Sequence, residues 1–412
     1  MEGKWKVFVK ELKMVSFLSA PMVAVSVLQH SPPFVTLMMV GHLDELSLSG
    51  VSVAFSFTIV TGYSLICGMA GALETLCGQA YGAEQYKKLG IYTYAAIISL
   101  ILVCIPISIL WMFTDKLLIL IGQDPTILHI AHKYCVCLIP NMFAYAILQP
   151  LVRYYQTQSL ILPLLFSSFA ALCFHIPFCW TLVFKLKLGS SATALASASS
   201  YLLDVLMLGV YMKYSSACEK TRAVFSKDAF FSMREFFRFA VPSAGMVWDL
   251  FCILGFYQIQ NWRLHTRVSN ELGAGNAQAA KMTVKAIMVL VVAEMVIVAM
   301  ILFFCHRVLG YAFSSKKEIV DRTADMAPLL CLSIIMDGLQ ALFRAMRASG
   351  VARGSGWQDI GAYVNLGAYY LVGVPVGVVL AFVVHLKGRG LWTTVQAFLL
   401  ALKTSFTNWE KQ

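Results

Sequence analysis

The sequence predicts an all-α polytopic membrane protein, two pseudo-symmetric helical lobes with six and about five transmembrane helices. Three observations carry that expectation. Hydrophobic residues fill 59% of the 412 positions against 13% charged, a balance that a water-soluble domain of this size cannot keep dissolved. Apolar runs of about 20 residues, the length that crosses a bilayer core as a helix, recur between short polar breaks. Short motifs also repeat between the two halves at a common offset.

Taken in order, apolar helices are expected at 15–40, 51–73, 91–113, 127–149, 160–184 and 191–212, and again at 237–260, 283–306, 324–343, 361–385 and 391–407. The first run follows Lys4, Lys6, Lys10 and Lys13 and has no small-residue cleavage site behind it, so it is expected to stay as a span. The longest polar connection, 213–238, holds Lys220, Arg222, Lys227 and Arg234 and divides an N-terminal lobe at 1–225 from a C-terminal lobe at 226–412.

The formal charge of +11 is spread through short loops instead of gathering on one segment, which argues against a nucleic-acid partner. With six spans before the central basic stretch, the N-terminus, Lys87, Lys88, Arg153 and that stretch fall on one side, the cytoplasmic one. Loop 41–50 carries Asp44 and Glu45 but no Lys or Arg, as an outside loop does.

The repeat is specific. Leu148-Gln149-x-Leu151-x-Arg153 returns as Leu339-Gln340-x-Leu342-x-Arg344, and Thr75 with Gly82-Ala83 returns as Thr266 with Gly273-Ala274, all at an offset of 191. Pro21 and Pro242, in similar contexts, give an offset of 221 instead. The difference of thirty residues is one helix plus a loop, so one helix is expected to be missing between 242 and 273. The charge rule agrees, because a single crossing there places Arg263, Arg267, Lys281 and Lys285 outside.

Eleven cysteines form no Cys-x-x-Cys pair, and those inside apolar runs (Cys67, Cys104, Cys173, Cys305, Cys331) read as small core residues. His129 and His132 share helical spacing without a third ligand, so no metal is expected. Stretch 273–281 lacks the Gly-Lys-Ser/Thr ending of a phosphate-cradling loop, and Gly354-x-Gly356 opens no βαβ unit. No enzyme signature and no cofactor are expected.

Chemistry is expected where carboxylates sit inside apolar spans, since a charge in the bilayer costs about 2.5–3.5 kcal/mol and normally faces the bundle interior. Asp204, Asp249, Glu294 and Asp337 meet that condition, with Asp337 near the middle of its span between Met336 and Gly338. Asn365, Tyr369 and Tyr370 form a polar-aromatic face suited to flat cations or phenolics, and Tyr155 and Gln156 supply similar groups in the first lobe. Glu74 and Gln79 close the second span beside Gly78-x-x-x-Gly82 and suit a cytoplasmic gate or a packing corner.

Several stretches resemble the multidrug and toxic compound extrusion (MATE) transporters of plants, of the detoxification efflux carrier type. They are Met39-Val40-Gly41-His42-Leu43, Leu73-Glu74-Thr75-Leu76-Cys77-Gly78-Gln79-Ala80-Tyr81-Gly82-Ala83, Arg267-Val268-Ser269-Asn270-Glu271-Leu272-Gly273-Ala274-Gly275-Asn276, and Ser349-Gly350-Val351-Ala352-Arg353-Gly354-Ser355-Gly356-Trp357-Gln358. The resemblance covers nearly the whole chain. It implies twelve helices in two lobes and export of small organic substrates, cationic or phenolic, by proton antiport from a monomer in the plasma or vacuolar membrane. It places a proton-handling aspartate at Asp337, sets Glu294 in the ninth-helix pattern, and puts Asp249 near the acidic position of the seventh helix. From Trp248 to His265 the chain departs from the family, at the point of the missing helix. Two alternatives follow from that departure and from the architecture: a non-transporting shortened variant, and a lipid flippase.

Overall fold

The computed structural model describes residues 2–120, 125–223, 227–248, 277–313 and part of 315–335. All regular structure among them is helical, as the sequence predicts. The chain divides into two compact units, Pro21–Phe256 and a second formed by Met1–Ala20 with Tyr257–Gln412.

The first unit is built as apolar spans require, from helices that bond their backbone groups within the segment. Helix α1 (Glu2–Gly41) contributes Pro21–Gly41, and a second span runs Glu45–Gly82 as α2 (Glu45–Thr58), a π turn (Ile59–Tyr63), α3 (Ser64–Ala70) and α4 (Ala72–Gly82). Asp44 caps α2, its carboxylate accepting from the Ser47 amide at 2.6 Å. Helix α5 (Tyr86–Met112) is the third span, and α6 (Thr114–Leu120) follows it. Helices α7 (Pro125–Cys137) and α8 (Ile139–Thr157) make a fourth span bent by 46°. Pro140 in the first turn of α8 has no amide to continue α7's ladder there, which is a sufficient cause of the bend. Helix α9 (Ile161–Trp180) ends in a second π turn, Thr181–Lys185, and α10 (Ser191–Tyr214) completes the six.

Helix α11 (Asp228–Trp248) also packs in this unit, against α3, α4 and α5. The sequence expectation starts this span at 237, nine residues late. Segment 228–236 is amphipathic, with Ala229 and Phe236 buried and Phe230 and Phe231 exposed, so a window that averages hydropathy passes over it.

The unit has an apolar core, with Leu73, Leu100, Trp111 and Leu148 among its members, into which polar side chains are set, and its outer face is apolar as well. Leu102, Ile105, Ile109, Phe166, Phe169, Leu202 and Leu206 face outward from α5, α9 and α10, while Thr93, Ser99, Asn141, Gln149, Arg153, Ser167, Ser168 and Ser200 are buried. Nearly all of α8 from Asn141 to Gln156 is enclosed, which makes it the central helix. Helices α2 and α7 touch closely at Gly50, where a Cβ would lie 2.6 Å from Ile130.

The second unit is described mainly by α12 (Ala277–Phe313), which contains the span expected at 283–306. The Cys331 thiol meets the Ala299 carbonyl at 3.4 Å, and Gly310 lies against Val320, so part of 315–335 packs beside α12. The gap expected between 242 and 273 and the spans expected at 361–385 and 391–407 lie outside the described residues.

Candidate functional site

Helices α1, α4, α8, α9 and α10 of the first unit, with the π turn at Ile59–Tyr63, bring polar side chains to its interior. On α8, Arg153 is 9% exposed. Its Nη1 lies 2.9 Å from the Glu74 carboxylate on α4 and donates to Gln156 Oε1 at 2.9 Å, while Nη2 donates to the Cys67 thiol of α3 at 3.9 Å. The sequence argument counts Arg153 among the cytoplasmic loop charges. The structure corrects this: it is an enclosed residue of α8 that neutralises Glu74, and i,i+3 spacing brings Gln156 to the same guanidinium.

About three turns earlier along α8, Asn141 Nδ2 donates to the Tyr63 hydroxyl at 2.8 Å. Tyr63 meets Tyr145 edge-on at 5.1 Å, and Tyr145 lies 5.8 Å from Tyr201 of α10. Tyr63 owes its direction to the π turn. Gly62 in that turn lets Trp111 close in, since a Cβ there would stand 2.5 Å from the indole, and Trp111 Nε1 donates to Thr61 at 2.9 Å. π turns inside α-helices concentrate at functional sites because the extra residue redirects side chains.

Asp204 of α10 is 2% exposed, with Ser167 and Ser168 of α9 beside it and no hydrogen-bond partner for Oδ1. His175 of α9 is fully buried between Thr36 of α1 and Ser200 of α10, at 3.2 and 3.0 Å.

The residues expected from sequence distribute unevenly. Glu74 and Gln156 meet on Arg153. Tyr155 is fully buried and its hydroxyl donates to the Leu208 carbonyl at 2.6 Å, which pins α8 to α10. Gln79 is exposed near the end of α4. Glu294 lies on α12, its side chain outside what is described; Asp249, Asp337, Asn365, Tyr369 and Tyr370 lie outside the described residues altogether. Sequence reasoning passed over Tyr63, Asn141, Tyr201, His175 and Thr36. Their signal is polar side chains at helical spacing within apolar runs, as in Ser197, Ser200 and Asp204. Among the described cysteines, Cys67, Cys104 and Cys331 are buried as expected, whereas Cys173 and Cys305 are exposed on outward faces. Among the described residues no cluster of metal-ligating side chains occurs.

Polar side chains enclosed within bilayer-length apolar helices mark this unit, and comparison with known proteins identifies the kind of membrane protein that carries them. The MatE family model matches twice, at residues 21–181 and 246–379. The second match spans 134 positions against 161 in the first, 27 fewer. Protein DETOXIFICATION 14 of Arabidopsis thaliana is 48% identical over 442 aligned positions, covering 98% of this chain and 90% of the relative. Protein DETOXIFICATION 1 of the same plant is 46% identical over 439, covering 98% and 91%. The crystal structure of the eukaryotic MATE transporter AtDTX14 superposes with a TM-score of 0.84 at 47% identity, over 98% of this chain and 97% of that one. A family model matched twice across most of the sequence, and relatives of this identity along almost its entire length, make the chain a member of the MatE family of membrane transporters.

Proposed function

We propose that the chain exports small organic compounds, cationic or phenolic, by proton antiport with alternating access, and that it does so as a monomer in the plasma or vacuolar membrane with its N-terminus cytoplasmic. The observation that carries this reading is the end-to-end correspondence with a eukaryotic MATE transporter of known structure. Asp337 is the proposed coupling carboxylate, with Glu294 and Asp249 as secondary candidates, and Asn365, Tyr369 and Tyr370 as cavity-lining residues. A carboxylate that is charged toward the cytoplasm attracts a cationic substrate, and its protonation on the acidic side removes that attraction. Differential affinity of this kind is what a ligand needs to bias two conformations. The test uses liposomes loaded at acidic pH and a fluorescent cationic dye added outside: uptake driven by the gradient, abolished in Asp337→Asn, is the expected result. Uptake that ignores the gradient, or that survives Asp337→Asn, overturns the proposal.

A second reading is favoured by two observations. The alignment with the first relative runs over 442 positions against 412 residues in this chain, and the second family match is 27 positions short. Both are consistent with an absent helix between 242 and 273, and a lobe lacking one wall leaves polar side chains of its neighbours facing lipid. On this reading the chain inserts but does not transport. Sequencing transcripts across codons 247–266 separates the two, because a product with about 30 additional codons is then the working carrier.

A further inference from the structure

We propose that His175 is a proton-binding site of the first unit, held by Thr36, Ser197 and Ser200 so that its imidazole finds a complete set of partners in either protonation state. The argument is one of donors and acceptors. Ser200 Oγ donates to the Ala196 carbonyl at 2.7 Å, so toward His175 Nδ1, 3.0 Å away, it is free only to accept. Nδ1 therefore carries a hydrogen. Ser197 Oγ donates to the Thr193 carbonyl at 3.0 Å, so toward Thr36 it too can only accept.

Thr36 is left as the hydroxyl that can turn between a nitrogen and an oxygen acceptor, His175 Nε2 at 3.2 Å and Ser197 Oγ at 3.5 Å, with the Cys179 thiol as a third neighbour. With neutral imidazole, its hydrogen points to Nε2. When a proton binds the Nε2 lone pair, that N–H donates to Thr36 and the Thr36 hydrogen turns to Ser197. One proton is taken up, one hydroxyl rotates, and no buried group loses its partner. The Pro32 carbonyl, also beside the ring, offers a further acceptor to the charged form. A buried histidine serving packing alone needs one tautomer; this surrounding accommodates the imidazolium as well.

Among the described residues no charged group faces the ring from the helices packed around it. Cys179 on α9 faces Thr36, Asp204 stands one turn beyond Ser200 on α10, Tyr134 of α7 meets Thr193, and Tyr145 of α8 meets Tyr201. On α1, His30 is turned away, with its Nδ1 on the Ser26 carbonyl. His175 lies toward the end of α9 that the proposed topology puts outside, the side from which an antiporter takes its proton, and the functional part of this inference rests on that proposal.

The test follows deuterium exchange at the imidazole C2 position of the His175 peptide by mass spectrometry, on the full-length purified chain between about pH 5 and 8. A sigmoidal pH profile is expected. Ser197→Ala removes the acceptor that only the charged form uses, and it moves the midpoint about half a unit or more to lower pH. A flat profile, or a midpoint unmoved by Ser197→Ala, overturns the proposal. Exchange is read on the resting protein, so a sigmoid with that shift supports the site even where gradient-driven dye uptake fails, and a flat profile sinks it even where uptake succeeds.

Discussion

Removing the Arg153 guanidinium takes away the ion partner 2.9 Å from Glu74, in a setting where the Glu74 side chain is 16% exposed. Breaking such a pair by deleting one partner costs about 3–5 kcal/mol, whereas replacing both with apolar residues is often neutral. Arg153→Ala is therefore expected to lower the thermal unfolding midpoint of the purified protein sharply, and Arg153→Leu combined with Glu74→Leu to regain most of it. An unchanged midpoint in the single variant would show that the pair is not structural. Glu74 was legible in the sequence because a carboxylate at the end of an apolar span attracts notice. Arg153 was misassigned because a cation at a span's end is also what the orientation rule expects of a loop, and only the partner 79 positions away distinguishes the two cases.

At the scale of elements, α11 is held on α3 and α5 by close approaches. A Cβ on Gly71 would stand 2.9 Å from Ser243 Oγ and Tyr92 donates to Glu235 at 3.0 Å, while the connection leading toward α11 is seated on α5, where a Cβ on Gly90 would stand 2.7 Å from the Ala223 side chain. A disulfide needs two side chains in direct contact, as the Gly71 Cβ position and the Ser243 side chain are, so the pair Gly71→Cys and Ser243→Cys is expected to cross-link under mild oxidation in a background lacking the exposed Cys173 and Cys305. Each single variant serves as the control, and absence of a cross-link despite proper insertion would mean that α11 does not sit there. The spans of the first unit were legible because hydropathy reports length. The π turns, the break at Gly71 and the early start of α11 were not, because each depends on local packing that averaging over a window erases.

For the whole molecule, the division of charge between the two faces makes a testable statement about orientation. The segment around Glu219 and Lys220 joins α10 to α11, while Leu188 lies in the connection from α9 to α10 and is exposed. Leu188→Cys is expected to react with an impermeant thiol reagent added outside intact cells, and Glu219→Cys only after permeabilisation; the reverse pattern would invert the proposed topology. The two-fold repeat was read from a few short matches at offset 191, and the family model matches the chain twice, at 21–181 and 246–379.

The π turn at Ile59–Tyr63 sets a rotational phase for everything after it. Such a turn holds one residue more than an α-helix needs for the same rise, and one residue is about 100° of rotation. Upstream, Val51 and Ala54 are aimed at the core; downstream, Cys67 and Glu74 are aimed at Arg153. Both aims hold only because the extra residue makes up the angular difference. A length change of a single residue between 59 and 63 would leave composition, hydropathy and span length as they are while swinging Glu74 away from its cation and toward lipid. In this helix the count of residues decides which side chains meet as much as their identity does.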